Sequence, residues 1–284
     1  MIEQQSLFVS AANRAPVTDA SRLGVLTWNI QHAAPKRIWK QVAWLAEQPG
    51  ADIVALTEVG GGPMAGMAVS EALAYYGYTA HVPHDNSRDY CVALATRVGT
   101  LSSLALSPDH LPHRGVVGRI ETAAGEAITV ASIYVPSRGP KEQRNVSKRA
   151  FQEAVVRMVP RLLSEVGANG PVVIAGDLNV VEPDHQPHHD VFGEWEYDFY
   201  RSFGRAGLVD CFRHLNRDTH DHSWYGRSGL GFRFDHLFVS REHVARLAGC
   251  QYQHGPRVEG LSDHSAMEIV IGPATSIVEI RGSA

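Results

Sequence analysis

Short apolar, β-branched runs recur along the whole 284-residue chain, and some are paired across an amphipathic helix. LGVLTWNI (23–30) and ADIVALTE (51–58) read as buried strands, with a helix between them over 37–47. A second helix is expected over 66–76. Strand-like runs at 78–82, 90–97, 116–121 and 127–135 follow, spaced by Gly, Pro and Asp turn signals. Between 142 and 163, Phe151, Ala154, Val155, Met158, Val159 and Leu162 fall on one helical stripe, which Pro160 is expected to kink or end early. The run in PVVIAGDLNVV (171–181) is the next strand. A helix over 194–206 and strands at 208–212, 221–225, 232–239 and 264–271 complete the pattern. Strand–helix–strand units with extra consecutive strands in each half predict an α/β fold, two β-sheets packed on each other with helices outside. A single domain is expected over 21–284, with residues 1–20 a loose polar tail.

Composition narrows the function classes. Apolar residues make up 44% and charged residues 20%, as in an ordinary globular domain, and no apolar run reaches the roughly 18 residues of a membrane span. The first twenty residues lack a basic start followed by an apolar stretch, so a cytoplasmic location is expected, with no membrane association. Cys91, Cys211 and Cys250 form no C-x-x-C pair and read as small buried residues. The net charge of −4 argues against tight nonspecific binding to duplex nucleic acid, although Arg138, Lys141, Arg144, Lys148 and Arg149 could form a local basic surface.

The apolar runs share a second property: they end on polar groups. Asn29 closes LTWN, Glu58 closes IVALTE and Tyr134 follows ITVASI. GDLN presents Asp177 and Asn179, FRFDHLFVS embeds Asp235, and LSDH places Asp263 and His264 just before the last strand. Rigid strands that deliver polar side chains to loops at one end are a common way to build an active site. Carboxylate and amide oxygens suit a hydrated Mg²⁺ or Mn²⁺, while histidine and tyrosine add proton transfer and hydrogen-bond donation. Together they fit a phosphate ester. Taken singly each residue has a plainer reading: a strand-end hydrogen bonder, an Asx turn at Asp177 and Asn179, or a cap at Asp263 and His264. Six such turns would not need this order of residue types.

WNIQ, LTEV, YVPSRG, GDLN, FRFDHLFVS and LSDH, in this order, resemble the endonuclease/exonuclease/phosphatase superfamily, and within it the exonuclease III-like branch of abasic-site endonucleases. The resemblance spans about residues 23–272. It implies a DNase I-like, four-layered α/β sandwich and a phosphodiester substrate, with nucleic acid favoured and no obligate protein partner evident. By position, it implies that Glu58 binds the metal, with Asn29 beside it and Asp263 near it. Asp177 would activate or align the attacking water, held by Asn179. Tyr134 would bond the phosphate or help the leaving oxygen. His264, oriented by Asp235, would donate to a phosphate oxygen, and whether Asp177 or His264 is the base stays open.

Three departures bear on the substrate: Gln31 stands two residues after Asn29, TEVG lacks the usual Gln–Glu pair and nearby basic residue, and only ten residues separate Trp224 from Asp235. They keep a small-molecule phosphodiesterase or phosphatase in view as the alternative. Arg138, Trp224 and Phe232 are the expected substrate contacts. Trp195, Tyr197, Phe199 and Tyr200 read as helix core. PDHQPHHDVF (183–192) reads as a solvated loop rather than a zinc site, and GGGP (60–63) as a flexible turn beside Glu58.

Overall fold

The computed structural model describes residues 22–32, 35–83, 89–123, 125–139 and 142–273; the expected N-terminal tail and Lys141 lie outside these. The first part of the chain forms β1 (Leu23–Asn29), α1 (Pro35–Glu47), β2 (Ile53–Val59), α2 (Pro63–Tyr75), β3 (Thr79–His81) and β4 (Cys91–Thr96). The middle forms β5 (Thr100–Ser103), β6 (Gly115–Glu121), β7 (Ala127–Ile133), α3 (Glu142–Val166) and β8 (Val172–Asp177). After these come α4 (Glu194–Arg205), β9 (Leu208–Asp210), α5 (Cys211–Leu215), β10 (Trp224–Tyr225) and β11 (Gly231–Phe232). The chain closes with β12 (Asp235–Ser240), β13 (Leu247–Gln253), α6 (Gly255–Val258) and β14 (Ala266–Ile271).

Two six-stranded sheets result, ordered β13-β14-β1-β2-β4-β3 and β5-β6-β7-β8-β12-β9, with β10-β11 a separate ribbon. Both are mixed: β1 and β2 run parallel across the α1 crossover, β7 and β8 across α3, and the other pairs are antiparallel. The two-residue period of a strand sorts the side chains into layers. Val25, Ile53 and Leu94 face Val130, Val173 and Leu237 between the sheets. Leu26, Trp28 and Leu56 turn outward onto Ile38, Val42 and Leu73 of α1 and α2. Ala131, Ile174 and Phe238 turn outward onto Phe151, Val155 and Phe203 of α3 and α4. The order is helices, sheet, sheet, helices, the expected four-layered sandwich.

Several local expectations are corrected. α3 continues through Pro160 to Val166. A proline inside a helix costs about 3 kcal/mol, but ending the helix there would undock Leu162, which is fully buried and worth roughly 1.5–3 kcal/mol. Pro160 also sits on the exposed face, where water can reach the carbonyl left without a donor. The strand expected over 232–239 is broken: Phe232 belongs to the β10-β11 ribbon and a new strand starts at Asp235. Residues 211–215, partly read as strand, form α5, capped by the Asp210 carboxylate on Arg213 N. β5 and β13 had not been expected. Among the described residues, no helix is long and apolar enough to cross a membrane.

Topology now fixes where polar residues gather. The C-terminal ends of β1, β2, β7 and β8 and the starts of β12 and β14 lie together at one end of the sandwich, so the strand-end residues from both sheets converge there.

Candidate active site

A cavity of about 410 Å³ opens at that end, lined by Glu58, Asp177, Asn179, Asp263, His264 and Arg138 on its polar side. Trp224, Phe232, Phe234, Val191 and Phe192 form the apolar side. Asn29, Tyr134 and Asp235 stand behind this wall, buried, each bonded to a residue that reaches it.

GDLN adopts its shape because of Gly176. Its φ is 145°, and a Cβ there would collide with the Ile133 carbonyl oxygen on neighbouring β7, so only glycine lets β8 pass this close. Asp177 follows, 1% exposed. Its Oδ1 accepts the Asn179 backbone N–H at 2.8 Å, while Oδ2 accepts the amide groups of Asn29 at 2.9 Å and Asn179 at 3.2 Å. The plain Asx turn is therefore present, and it holds the carboxylate on the cavity wall. Asn179 is itself in the left-handed region, φ 49°, a conformation that non-glycine residues keep mainly where surrounding contacts hold it.

Asp235 is the direct cross-strand partner of Asp177. Burial raises the Asp177 carboxyl well above the usual carboxylate range, and Asp235 and Glu58 raise it further. Asp235 Oδ2 accepts from His264 Nδ1 at 2.7 Å, and its Oδ1 is buried without a hydrogen bond. Burial alone would lower the imidazole, but the Asp235 carboxylate outweighs it and His264 is raised to about 10. With Nδ1 used, Nε2 is the ring nitrogen left for the cavity. The loop that carries His264 is tied to β1 by Ser262 Oγ donating to the Asn29 carbonyl at 2.6 Å and Trp28 Nε1 donating to the His264 carbonyl at 3.2 Å.

Glu58 sits at an irregularity between β2 and β4, with φ 52°, which re-aims its side chain out of the strand alternation. Tyr134 donates its hydroxyl to Glu58 Oε1 at 2.8 Å. The phenol, expected on the phosphate, is thus committed to the carboxylate. Burial and the nearby Glu58 and Asp177 charges raise its pKa, so it stays a donor. Arg114 stacks on its ring at 4.5 Å and is held by Asp89. Asn29, expected beside the metal, keeps its amide on Asp177, and its Oδ1 accepts Gln31 N at 2.9 Å.

The donor set fits a divalent cation. Three carboxylates line the cavity with a fourth behind, and among the described residues Arg138 is the single lysine or arginine there. Such an excess of hard, negatively charged oxygens suits a hard divalent cation. Ligand atoms of Asp177, Asp235 and His264 also lie within 4.8 Å of one another, but the His264–Asp235 bond occupies that group internally. Glu182, Asp210 and His236 form a second group of metal-ligand type. Its cation is already supplied: the fully buried Arg233 guanidinium pairs with Glu182 and, at 2.8 Å, with Asp210.

Trp224 and Phe232, the expected substrate contacts, line the cavity, and Trp224 Nε1 donates to Asp263 Oδ2 at 3.0 Å. Val191 and Phe192, at the end of PDHQPHHDVF, also line it; Phe234 was missed but legible, since it lies two residues from Phe232 in the sequence. The solvated loop is a correction. His185 and His189 are buried, His189 stacks on Phe232 at 3.9 Å, and desolvation lowers His185 to about 4, leaving it a neutral acceptor for Arg233 N. Only His188 of the three is exposed, next to Asp190. The basic surface also changes, because Lys148 is fully buried against Glu196. Of the four aromatics expected in the helix core, Trp195, Tyr197, Phe199 and Tyr200, only Phe199 is fully buried, and Trp195 is half-buried. Cys91 and Cys211 are buried and Cys250 half-buried, all as free thiols.

The chain is similar to several known proteins. The Bacillus subtilis exodeoxyribonuclease is 27% identical over 168 residues, and the Drosophila melanogaster recombination repair protein 1 is 30% identical over 173. The matched segment is 54% of this chain in both cases, but 64% of the first relative's length and 24% of the second's. Among solved structures, an AP endonuclease from Archaeoglobus fulgidus superposes with a TM-score of 0.70 at 21% identity, covering 88% of this chain and 99% of that one. The 3'-5' exonuclease NExo from Neisseria meningitidis gives 0.70 at 22%, covering 89% and 100%. These structures share the fold. Residues 26–264 match the family as a whole, and the chain belongs to the Endonuclease/Exonuclease/phosphatase family.

Proposed function

We propose that this protein is a Mg²⁺- or Mn²⁺-dependent phosphodiester hydrolase acting on DNA, a nuclease of the exonuclease III-like type, with one catalytic domain over 21–284. The observation that carries it is the Asp235–His264 pair set beside Asp177, with Asp177 and His264 lining one cavity. Glu58, with Asp263 at the rim, would hold the metal, which neutralises phosphate charge when bound. Asp177, held by Asn29 and Asn179, takes the proton from an attacking water. The water oxygen bonds to phosphorus as the bond to the leaving oxygen breaks, and the leaving alkoxide takes a proton from solvent water. His264 Nε2 donates to a non-bridging phosphate oxygen and stabilises the charge that grows there. Tyr134 keeps Glu58 in place. The names of the relatives, an exodeoxyribonuclease and a recombination repair protein, support DNA as the polymer. Three free thiols suit a cytoplasmic setting.

A phosphodiesterase or phosphatase for a small molecule is the second reading, favoured by the aromatic wall of the 410 Å³ cavity, which would suit a compact apolar group. One assay separates the two. Purified protein with Mg²⁺ or Mn²⁺, against an EDTA control, is given a duplex with one abasic site, an intact duplex, a single strand and bis(p-nitrophenyl) phosphate. Metal-dependent cleavage of any nucleic acid supports the first reading. Turnover of the small diester alone favours the second, and turnover insensitive to EDTA overturns the metal requirement.

A further inference from the structure

A groove of about 460 Å³ runs between α3 and α4, and Arg138 lines both it and the catalytic cavity. Its position is set from below. Fully buried Glu196 accepts Arg138 Nη1 on Oε2 at 2.6 Å and Lys148 Nζ on Oε1 at 2.5 Å. Lys148, also fully buried, donates in addition to the Asn179 carbonyl at 2.8 Å, which ties this anchor to the GDLN turn. Glu196 thus pairs with two basic side chains at once, and burial lowers the pKa of one of them, Lys148. Arg138 is one-third exposed, with donors beyond the one used by Glu196.

Farther along the groove the guanidinium of exposed Arg149 stacks on the Trp195 ring at 4.9 Å. Glu153 is the single carboxylate among the described residues that line this groove, against two arginines. A planar cation pinned on an aromatic ring offers a phosphate partner and a stacking surface for a base, the combination that single-stranded nucleic acid uses.

We propose that this groove is a second anion-binding subsite, which takes the phosphodiester backbone of a single strand continuing past the scissile phosphate. Arg138 receives the neighbouring phosphate and Arg149, held by Trp195, the one after it. The proposal rests on the nucleic-acid reading above.

The test compares kcat/KM for an oligonucleotide with a single-stranded extension and for bis(p-nitrophenyl) phosphate, which has no second phosphate, over a salt series. Arg149→Gln and Trp195→Ala alter exposed or half-buried side chains, and circular dichroism checks their folding. Each is expected to lower the oligonucleotide-to-diester ratio roughly 10-fold, within the range for loss of a stacked contact. Arg149→Gln should also reduce the log–log salt slope of the oligonucleotide KM by about 0.7, the value for one lost single-strand phosphate contact. An unchanged ratio and slope, in a wild-type enzyme that cleaves nucleic acid, would overturn the subsite and leave the nucleic-acid reading standing. A wild-type enzyme that cleaves only the small diester would overturn both.

Discussion

Asp177 and Asp235 sit opposite each other on neighbouring antiparallel strands, two buried carboxylates in direct register. Like charges placed this way destabilise the fold unless something offsets them, and here Asn29, Asn179 and His264 do so in part.

Asp177→Asn is therefore expected to separate activity from stability. An asparagine oxygen can still accept from Asn29 but leaves its NH2 against the Asn179 N–H, a loss offset by removal of the repulsion with Asp235 and Glu58. Turnover should fall by roughly 10²–10⁴, the usual contribution of a general base, while Tm stays level or rises. Phosphodiester assays paired with thermal melts check this; wild-type turnover in the folded variant would remove Asp177 from the chemistry.

Asp235→Asn should act through the histidine. His264 has a folded pKa of about 10, above the roughly 6.5 of a free imidazole. Its stabilising contribution is thus complete below about pH 6.5 and is lost as pH rises through about 10. Without the carboxylate, burial dominates and the imidazolium is lost at lower pH. The alkaline limb of the kcat profile should move down by about one pH unit or more, since one unit corresponds to about 1.4 kcal/mol of lost interaction. An alkaline limb that does not move would count against the pairing.

Gly176→Ala tests the backbone of GDLN. The added methyl meets the Ile133 carbonyl and its φ is left-handed, so β8 and β7 must separate. A loss of about 2–4 kcal/mol is expected, in the range of strained special positions, readable by urea denaturation. A variant as stable as wild type would mean that the strands can relax.

Asp89→Asn probes support of the site from a distance. Burial pushes the Asp89 carboxyl up, but hydrogen bonds from His113 and Arg114 outweigh it and hold it well below the usual carboxylate range. Its contribution is present above about pH 4 and lost as pH falls below that. The variant should melt lower at pH 7, with the gap to wild type closing toward pH 2. Turnover should drop a few-fold as Arg114 loosens on Tyr134.

The layers and the convergence of polar strand ends were legible because buried strands such as 23–29 and 53–59 are continuous apolar runs bounded by turns. β13 was not: LAGCQYQ has three exposed or half-buried polar or glycine positions and a register shift at Gly249, so neither period stands out. Pro160 does not end α3 because the packing beyond it overrides local propensity. His185 and His189 looked solvated because composition cannot show that Phe232 and Arg233 would cover them. Lys148 looked like surface charge because its partner Glu196 is 48 residues away and reaches it only through folding.

Three side-chain bonds at the cavity run from one sheet to the other: Asn29 to Asp177, His264 to Asp235 and Tyr134 to Glu58. The groups proposed for hydrolysis are thus the same atoms that register the two halves of the sandwich. A partly folded chain in which each sheet has formed but the two have not docked holds no complete site. The proposed site is therefore complete only where the two sheets are docked, so its formation and the closing of the sandwich are the same structural event.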